Sequence, residues 1–146
     1  MIRKLNRSEL EQSLPLIWRV FCEYEAKHYP DAGKKSFYDA IHSEEYLNLL
    51  SAYGDFENDE LVGIIATRNE GKHIALFFVD GNYQQRGIGR RLWNCILKEC
   101  TGDEITVHSS VYARDIYIKL GFIQAGNLCE ESGIQYIPMV YKNSNS

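Results

Sequence analysis

Residues 73–91 place a glycine-containing turn between a short apolar run and a helix start, an arrangement suited to binding an anion. His73 to Val79 are mostly β-forming residues, whereas Ile88, Leu92, Trp93, Ile96, Leu97 and Cys100 recur at helical spacing. A helix beginning near Gly87 would aim several unpaired backbone N–H groups at the turn. With the positive end of the helix dipole, those groups can hold a pyrophosphate. The glycine spacing narrows the ligand. Gln84-x-x-Gly87-x-Gly89 is not followed by Lys-Ser/Thr, so the Walker pattern for nucleoside triphosphates fails. Leu92 stands where a dinucleotide fingerprint needs its third small residue, so that pattern fails too. From the residues alone, Gly87 and Gly89 serve either a phosphate contact or close packing at a strand-to-helix turn.

A second run of residues lies downstream. Ile105 to His108 reads as a strand, and Ser109 or Ser110 can cap a helix with apolar residues at Ala113, Ile116, Tyr117 and Leu120. Gly121 suits the left-handed position just past that helix, with Phe122 as its hydrophobic follower. Gln84-x-x-Gly87-x-Gly89 resembles the acetyl-coenzyme A pyrophosphate loop of the GCN5-related N-acetyltransferase (GNAT) family, Arg/Gln-x-x-Gly-x-Gly/Ala after the fourth strand. The string Ser110-x-x-Ala113-x-x-x-Tyr117-x-x-x-Gly121-Phe122 resembles the second signature of that family, in which Asn is commoner than Ser at the first position. The two motifs stand in the family's order, separated by one helix and one strand.

The resemblance implies an α/β (α+β) fold of the GNAT-like acyl-CoA N-acyltransferase kind. Its central sheet would be mixed and mostly antiparallel, with about seven strands, flanking helices and a splayed parallel β4/β5 pair. It implies acetyl-CoA as co-substrate, with Gln84, Gln85, Arg86, Gly87, Ile88, Gly89 and Arg90 at the pyrophosphate. Backbone groups of Phe77, Phe78 and Val79 would follow the pantetheine arm, and Ser110 and Ala113 enter from the second motif. Tyr117 falls at the leaving sulfur as the family's general acid. A tyrosine near pKa ~10 is a weaker acid than a thiol near ~8.5, so full proton transfer is uphill by about 2 kcal/mol. Hydrogen-bond donation is therefore its main expected task.

Amine acetylation also needs a base, because an amine with pKa ~10.4 is only about 0.04% neutral at pH 7. The fourth strand offers no carboxylate between Ile74 and Val79. Glu23 and Glu25 could attract a cationic acceptor or deprotonate it through water, and Tyr24 and Tyr29 could line its pocket. His108 has an ordinary pKa that suits a base. Solvated or structural roles stand beside each of these readings, and His73, at the start of the fourth strand, is set apart from catalysis. No cysteine falls at a motif position, so direct attack in a ternary complex is expected rather than an acyl-enzyme. The reading is an N-acetyltransferase acting on a small-molecule or peptide amine, with lysine side chains among the possible acceptors. The alternative is a non-catalytic CoA-binding regulatory or interaction module; Tyr117 favours the enzyme. A homodimer is an expectation of the resemblance alone.

Composition agrees with one domain over residues 1–142 and a frayed tail at 143–146. The chain has 146 residues and is 45% apolar, enough for a core. With 20 acidic and 16 basic residues the net charge is −4, which gives no nucleic-acid footprint. Arg86, Arg90 and Arg91 form a local basic cluster, of which at least one is expected to be only a solvated helix face. Cysteines 22, 95, 100 and 129 show no Cys-x-x-Cys pair and no histidine spacing for zinc, so no metal is expected and reduced thiols in the cytoplasm are the default. No window approaches a membrane span, and no leader is evident.

The elements that must position these residues are read from pattern. A first strand is read at Ile2 to Leu5, and Ser8-x-x-Glu11 as a capping box for a helix that kinks or restarts near Ser13 because of Pro15. Pro30 to Gly33 is expected to break the helical region before a second helix from about Ser36 to Leu50. Strands near Ala52–Glu57 and Glu60–Arg68 flank the turn Asn58-Asp59. A last hairpin joins Ile123–Cys129 to Ile134–Tyr141 around Ser132-Gly133, and Pro138 predicts a bulge or strand end.

Overall fold

The strands are β1 (Ile2–Lys4), β2 (Ser51–Glu57), β3 (Glu60–Arg68), β4 (His73–Val79), β5 (Glu104–Ser109), β6 (Ile123–Gln124), β7 (Cys129–Glu131) and β8 (Ile134–Lys142). Between them lie α1 (Arg7–Gln12), α2 (Leu14–Tyr24), α3 (Asp31–Ile41), α4 (Glu44–Asn48), α5 (Ile88–Glu99) and α6 (Arg114–Leu120). These assignments come from a computed structural model, which describes residues 1–143. The strands run in the order β1-β2-β3-β4-β5-β8-β6, with β7 also paired to β8. Among the described residues only β4 and β5 are parallel neighbours; every other pairing is antiparallel. Helices α1 to α4 bury one apolar cluster against the sheet around Ile17, Phe21, Ile41 and Leu76. On the opposite face α5 and α6 bury another, around Leu92, Trp93, Ile105 and Phe122.

The short turns form as their residues demand. Asn58 and Asp59 take left-handed backbone (φ 52° and 65°), as a two-residue hairpin requires, and Ser132 with Gly133 does the same (φ 53° and 80°). Ser13 separates α1 from α2, with Pro15 in the first turn of α2, where its missing N–H costs nothing. The capping box lies two residues earlier than the sequence suggests. Asn6 Oδ1 accepts from Glu9 N (2.8 Å) while Glu9 Oε1 accepts from Asn6 N (3.0 Å), because the chain leaves β1 at Lys4 and Asn6 is already extended.

The expected break at Pro30–Gly33 falls instead at residues 25–30. A 3₁₀ turn spans Ala26–His28, extended Pro30 caps α3, and the helix starts at Asp31 rather than Ser36. The single helix expected to reach Leu50 divides at Ser43, whose Oγ accepts from Tyr46 N (3.3 Å) to start α4. Asn143, read as the start of a frayed tail, is buried and bonds through its N–H to Asp103 O (2.8 Å) and through Nδ2 to Gly102 O (3.1 Å). The rest of that expected tail, residues 144–146, lies outside the described residues.

Pro138 sits in the middle of β8, opposite His108 of β5 with no shift of register there. The strand end appears in its other neighbours. β6 pairs with β8 as far as Met139 and β7 pairs with it only up to Tyr136, so the ladder on that side is interrupted where Pro138 lacks an N–H, and only its carbonyl is used, by Ala125 N (2.8 Å).

A bulge on β4 redirects its side chains. Ala66 pairs with Leu76 and Thr67 with Ile74, leaving Ala75 as an extra residue. An extra residue shifts the period-2 alternation by one. Ile74 accordingly packs into the α5 side of the sheet, whereas Leu76 and Phe78 pack beneath α2 and α3. At the same point β4 and β5 part. They pair only at His73↔Thr106 and Ile74↔Val107, and beyond Ile74 the β5-facing edge of β4 has no strand beside it among the described residues.

The turn between β7 and β8 is docked on the first turn of α3, where Gly33 and Gly133 touch through backbone. A Cβ built at Gly33 would stand 2.3 Å from Gly133 O, and Ser36 Oγ donates to Ser132 O (2.9 Å). Gly33→Ala is therefore expected to force the hairpin off α3 and lower stability by about 1–3 kcal/mol, the usual cost of overpacking. Ser36→Ala removes one exposed hydrogen bond and should cost about 1 kcal/mol or less. Urea unfolding of the two variants checks the order; equal losses would mean that the glycine contact carries no constraint.

Candidate active site

The amino end of α5 reaches the sheet because β3 has a glycine beneath it. A Cβ at Gly63 would stand 2.9 Å from Ile88 Cγ2 and 3.2 Å from Leu92 Cδ1. Close packing of helix on strand is thus the task of Gly63, not of the loop glycines. A Cβ at Gly89 would be 3.6 Å from the Phe77 ring, an ordinary contact. Gly87 is needed for its backbone, φ 82°, at the start of α5 with no side-chain cap. Gln85 is also left-handed (φ 63°). Such alternation curls a chain so that successive N–H groups converge, and the first turn of α5 adds further N–H groups that no helical carbonyl reaches. Gln84, just before, is tied down by its side-chain amide, which donates to Val79 O (3.1 Å).

The parted strands leave a cleft of about 380 Å³ in front of this loop. Its walls are Phe77, Phe78 and Val79 of β4, Tyr83 to Gln85 and Gly87 to Gly89 of the loop, and Ala113, Ile116, Tyr117 and Lys119 of the α6 segment. Val20, Tyr24 and Glu25 close it from α2 together with Tyr112, whose ring stacks on Tyr24 (5.5 Å). Gln84, Gly87 and Gly89 of the first motif and Ala113 and Tyr117 of the second are therefore drawn to one cavity, whereas Ser110, Gly121 and Phe122 are not in its lining.

Tyr117 is held at its base. The side chain is buried, 6% exposed, with its ring edge-on to Phe77 (6.1 Å) and Phe122 (5.3 Å). Among the described residues no protein group hydrogen-bonds its hydroxyl, which stays open to solvent in the cleft. Burial, and then the Glu25 carboxylate, push its pKa far above the ordinary tyrosine value, so the hydroxyl stays protonated and able to donate.

Glu25 is the carboxylate of the cleft. Burial raises its pKa, and the nearby Ser110 side chain works in the other direction. The same charge, after burial, helps push Tyr29 up to about 12 and raises Tyr112. The Ser110 hydroxyl also accepts from Ala113 N (3.0 Å), which orders the chain entering α6.

Other residues singled out from sequence lie outside the lining. Arg86 is exposed and places its guanidinium over the Tyr83 ring (5.0 Å). Arg90 Nη2 donates to Lys119 O (3.2 Å), joining α5 to the end of α6. Ser110 acts one layer back, through Glu25 and Ala113. Glu23 is exposed beside Gly81, and Tyr29 packs on Phe21 (5.4 Å). His108 is exposed, stacked on Tyr136 (4.2 Å) and edge-on to His73 (4.8 Å), with its pKa lowered by burial and by Arg68. His73 stands at the still-paired end of β4, bonded through Nδ1 to Thr106 Oγ1 (2.8 Å). The pattern gave little notice of Tyr112, Val20 or Ile116 as lining residues. Tyr112 and Ile116 lie within the second motif, so their proximity was legible, but Val20 joins them only through the docking of α2. Among the described residues no group of three or more His, Cys, Asp or Glu side chains is placed to hold a metal ion.

The description "acetyltransferase (GNAT) domain" belongs to a family whose sequence model matches residues 20–143. Solved structures of similar shape include a GCN5-related N-acetyltransferase from Rhodopseudomonas palustris, 16% identical with a TM-score of 0.83, the match covering 97% of this chain and 94% of that one. The PaiA N-acetyltransferase from Thermoplasma acidophilum, solved in complex with coenzyme A, is 21% identical with a TM-score of 0.78, covering 97% of this chain and 98% of that one. An aminoglycoside 6′-N-acetyltransferase complexed with coenzyme A is 16% identical with a TM-score of 0.65, covering 98% of this chain and 97% of that one. No curated protein matches the chain.

The raised pKa of Glu25 has a consequence for stability. In the folded protein this carboxyl binds its proton more tightly than in the unfolded chain, so its contribution is fully present below the ordinary glutamate value of 4.5 and is lost as pH rises through the folded-state pKa. Glu25→Gln should therefore be more stable than the unaltered protein at pH 7 and lose that advantage as pH falls toward 4.5. Urea midpoints across that range check it. A variant less stable at pH 7 would show that the carboxylate is a net structural asset.

Proposed function

The chain belongs to the acetyltransferase (GNAT) family, and on that premise we propose that it is an N-acetyltransferase moving the acetyl group of acetyl-CoA to an amine by direct attack. The observation that carries the reading is a single cleft, opened where β4 and β5 part, with a helix amino terminus at its rim and the unpartnered hydroxyl of Tyr117 at its base. Coenzyme A in the structures of two similar proteins supports a coenzyme of this class. No helix among the described residues is long and apolar enough to cross a membrane.

Each group then has a task. The backbone N–H groups of residues 87–89 bind the pyrophosphate, and Arg86 contributes charge from the exposed side of the loop. The open edge of β4, from Ala75 onward, offers main-chain partners to the pantetheine arm. Phe77, Phe78 and Ile116 exclude water around the thioester, which supplies the activated acyl group. Tyr117 donates a hydrogen bond to the thiolate as it departs; the fully protonated state that its surroundings impose is the state this task needs.

Glu25 draws the cationic acceptor and takes its proton, directly or through a water. Its raised pKa narrows the gap to the amine without making it a strong base, and among the described residues it is the sole carboxylate in the cleft lining. Among those residues no cysteine lines the cleft, which supports attack by the amine itself over an acyl-enzyme. Tyr24 and Tyr112 frame the acceptor's entrance.

Isothermal titration with acetyl-CoA and steady-state turnover with an amine panel test the assignment. The unaltered protein should bind at micromolar concentration, and Gly87→Val should lose that binding while remaining folded, because valine is strained at φ 82°. Binding without turnover on any amine would instead favour a coenzyme-binding module. Tyr117→Phe should lower turnover by about 10- to 1000-fold, the usual range for a general acid, with coenzyme affinity little changed. Full turnover by that variant, with a true acceptor in hand, would remove Tyr117 from the mechanism.

A further inference from the structure

Arg91 does not line the cleft, yet it grips the loop that does. Its Nη1 donates to the carbonyl oxygen of Arg86 (3.2 Å), and its Nη2 pairs with Asp55 Oδ2 (3.2 Å). A Cβ built at Gly87 would stand 3.3 Å from Arg91 Nη1, so the guanidinium lies against that stretch of backbone. Asp55 is 1% exposed and lies in β2 directly opposite Gly63, the residue over which α5 docks. Its other oxygen, Oδ1, accepts from the Met1 ammonium (3.0 Å).

The peptide joining Arg86 to Gly87 is planar and trans, so its C=O and N–H point in opposite directions. Holding the Arg86 carbonyl on the Arg91 side turns the Gly87 N–H away from Arg91. Were the carbonyl released, rotation of the peptide would present an oxygen, instead of an N–H, where an anion is to bind. We infer that Asp55 and Arg91 are positioning residues for the coenzyme pyrophosphate: buried Asp55 fixes Arg91, and Arg91 fixes the Arg86–Gly87 peptide so that the loop keeps its donors gathered. The inference rests on the coenzyme reading of the cleft.

Asp55 provides a test in which sign decides. Simple electrostatics requires that removing a negative charge near a polyanion site tightens binding; the positioning role requires that it weakens binding. Titration calorimetry of coenzyme A with Asp55→Asn should show affinity reduced by about tenfold, the scale of lost hydrogen bonds to a charged ligand. Turnover at saturating coenzyme should change by less than about twofold, since the chemistry lies at the other end of the cleft. Arg91→Lys keeps the charge and an ion pair with Asp55 but cannot span both partners with a planar fork, so it should also weaken binding, with the salt dependence of the affinity unchanged. This second variant carries the test if Asp55→Asn does not fold. Equal or tighter binding by a folded Asp55→Asn overturns the inference. So does a weaker salt dependence in Arg91→Met, which would make Arg91 a direct phosphate contact. Failure of the unaltered protein to bind coenzyme A removes the coenzyme reading and this inference with it, whereas normal binding by every variant removes the inference alone.

Discussion

Two parallel strands that stay paired for only two residues leave an edge of main-chain donors and acceptors with no neighbouring strand, and such groups are costly to leave unmet. The separation of β4 from β5 is the constraint on which the rest of this molecule depends. It starts at the Ala75 bulge, where one extra residue bends the strand and reverses the faces to which its side chains point. The reversal sends Leu76 and Phe78 under α2 and α3 and leaves Phe77 and Val79 packed with the α5 side, so β4 contributes residues of both faces to the cleft lining. On the far side, β5 is kept in place by its full antiparallel pairing with β8. An open gap between well-anchored strands has the shape and the main-chain edge to suit a linear, hydrogen-bonding ligand.

The two ends of that gap are built by different physics. At the rim, position is obtained from backbone conformation and close approach: Gly63 admits α5, left-handed Gln85 and Gly87 curl the loop, and Arg90 and Arg91 clamp the first turn of the helix to α6 and β2. At the base, the controlling effect is desolvation. Tyr117 and Glu25 share a poorly solvated space: burial raises the pKa of both, and the Glu25 carboxylate further disfavours ionisation of Tyr117. The outcome is a tyrosine that stays protonated and able to donate, and a carboxyl more basic than usual. Both conditions suit the roles proposed for Tyr117 and Glu25, and both are conditions that a structure selected for stability alone would avoid.

The cation cluster shows how one charge pattern divides among tasks. Arg86, Arg90 and Arg91 look alike in sequence, spaced around a helix start. In the fold Arg86 is exposed over Tyr83, Arg90 satisfies a carbonyl at the end of α6, and Arg91 reaches the buried Asp55. Helical spacing sets their directions, and only the neighbours of α5 decide what each meets.

Much of the architecture was legible because it rests on local rules. The turns at Asn58-Asp59 and Ser132-Gly133, the restart at Ser13, the left-handed Gly121 and the apolar run of β4 are each written in a few adjacent residues. The helix boundaries around Pro30 and Ser43 were not: the first turn of α3 packs through Gly33 on a turn about a hundred residues away in sequence, a contact that local signals do not report. For the site, the sequence by itself determined the loop, its glycines and Tyr117, since close spacing fixes which groups a helix start presents. Only the tertiary structure decided that Glu25 rather than Glu23 faces the cleft, that Gly63 rather than Gly89 admits the helix, and that Arg91 belongs to Asp55. Those choices depend on burial and on which helix lies over which strand, and both are properties of packing between segments that no single segment contains.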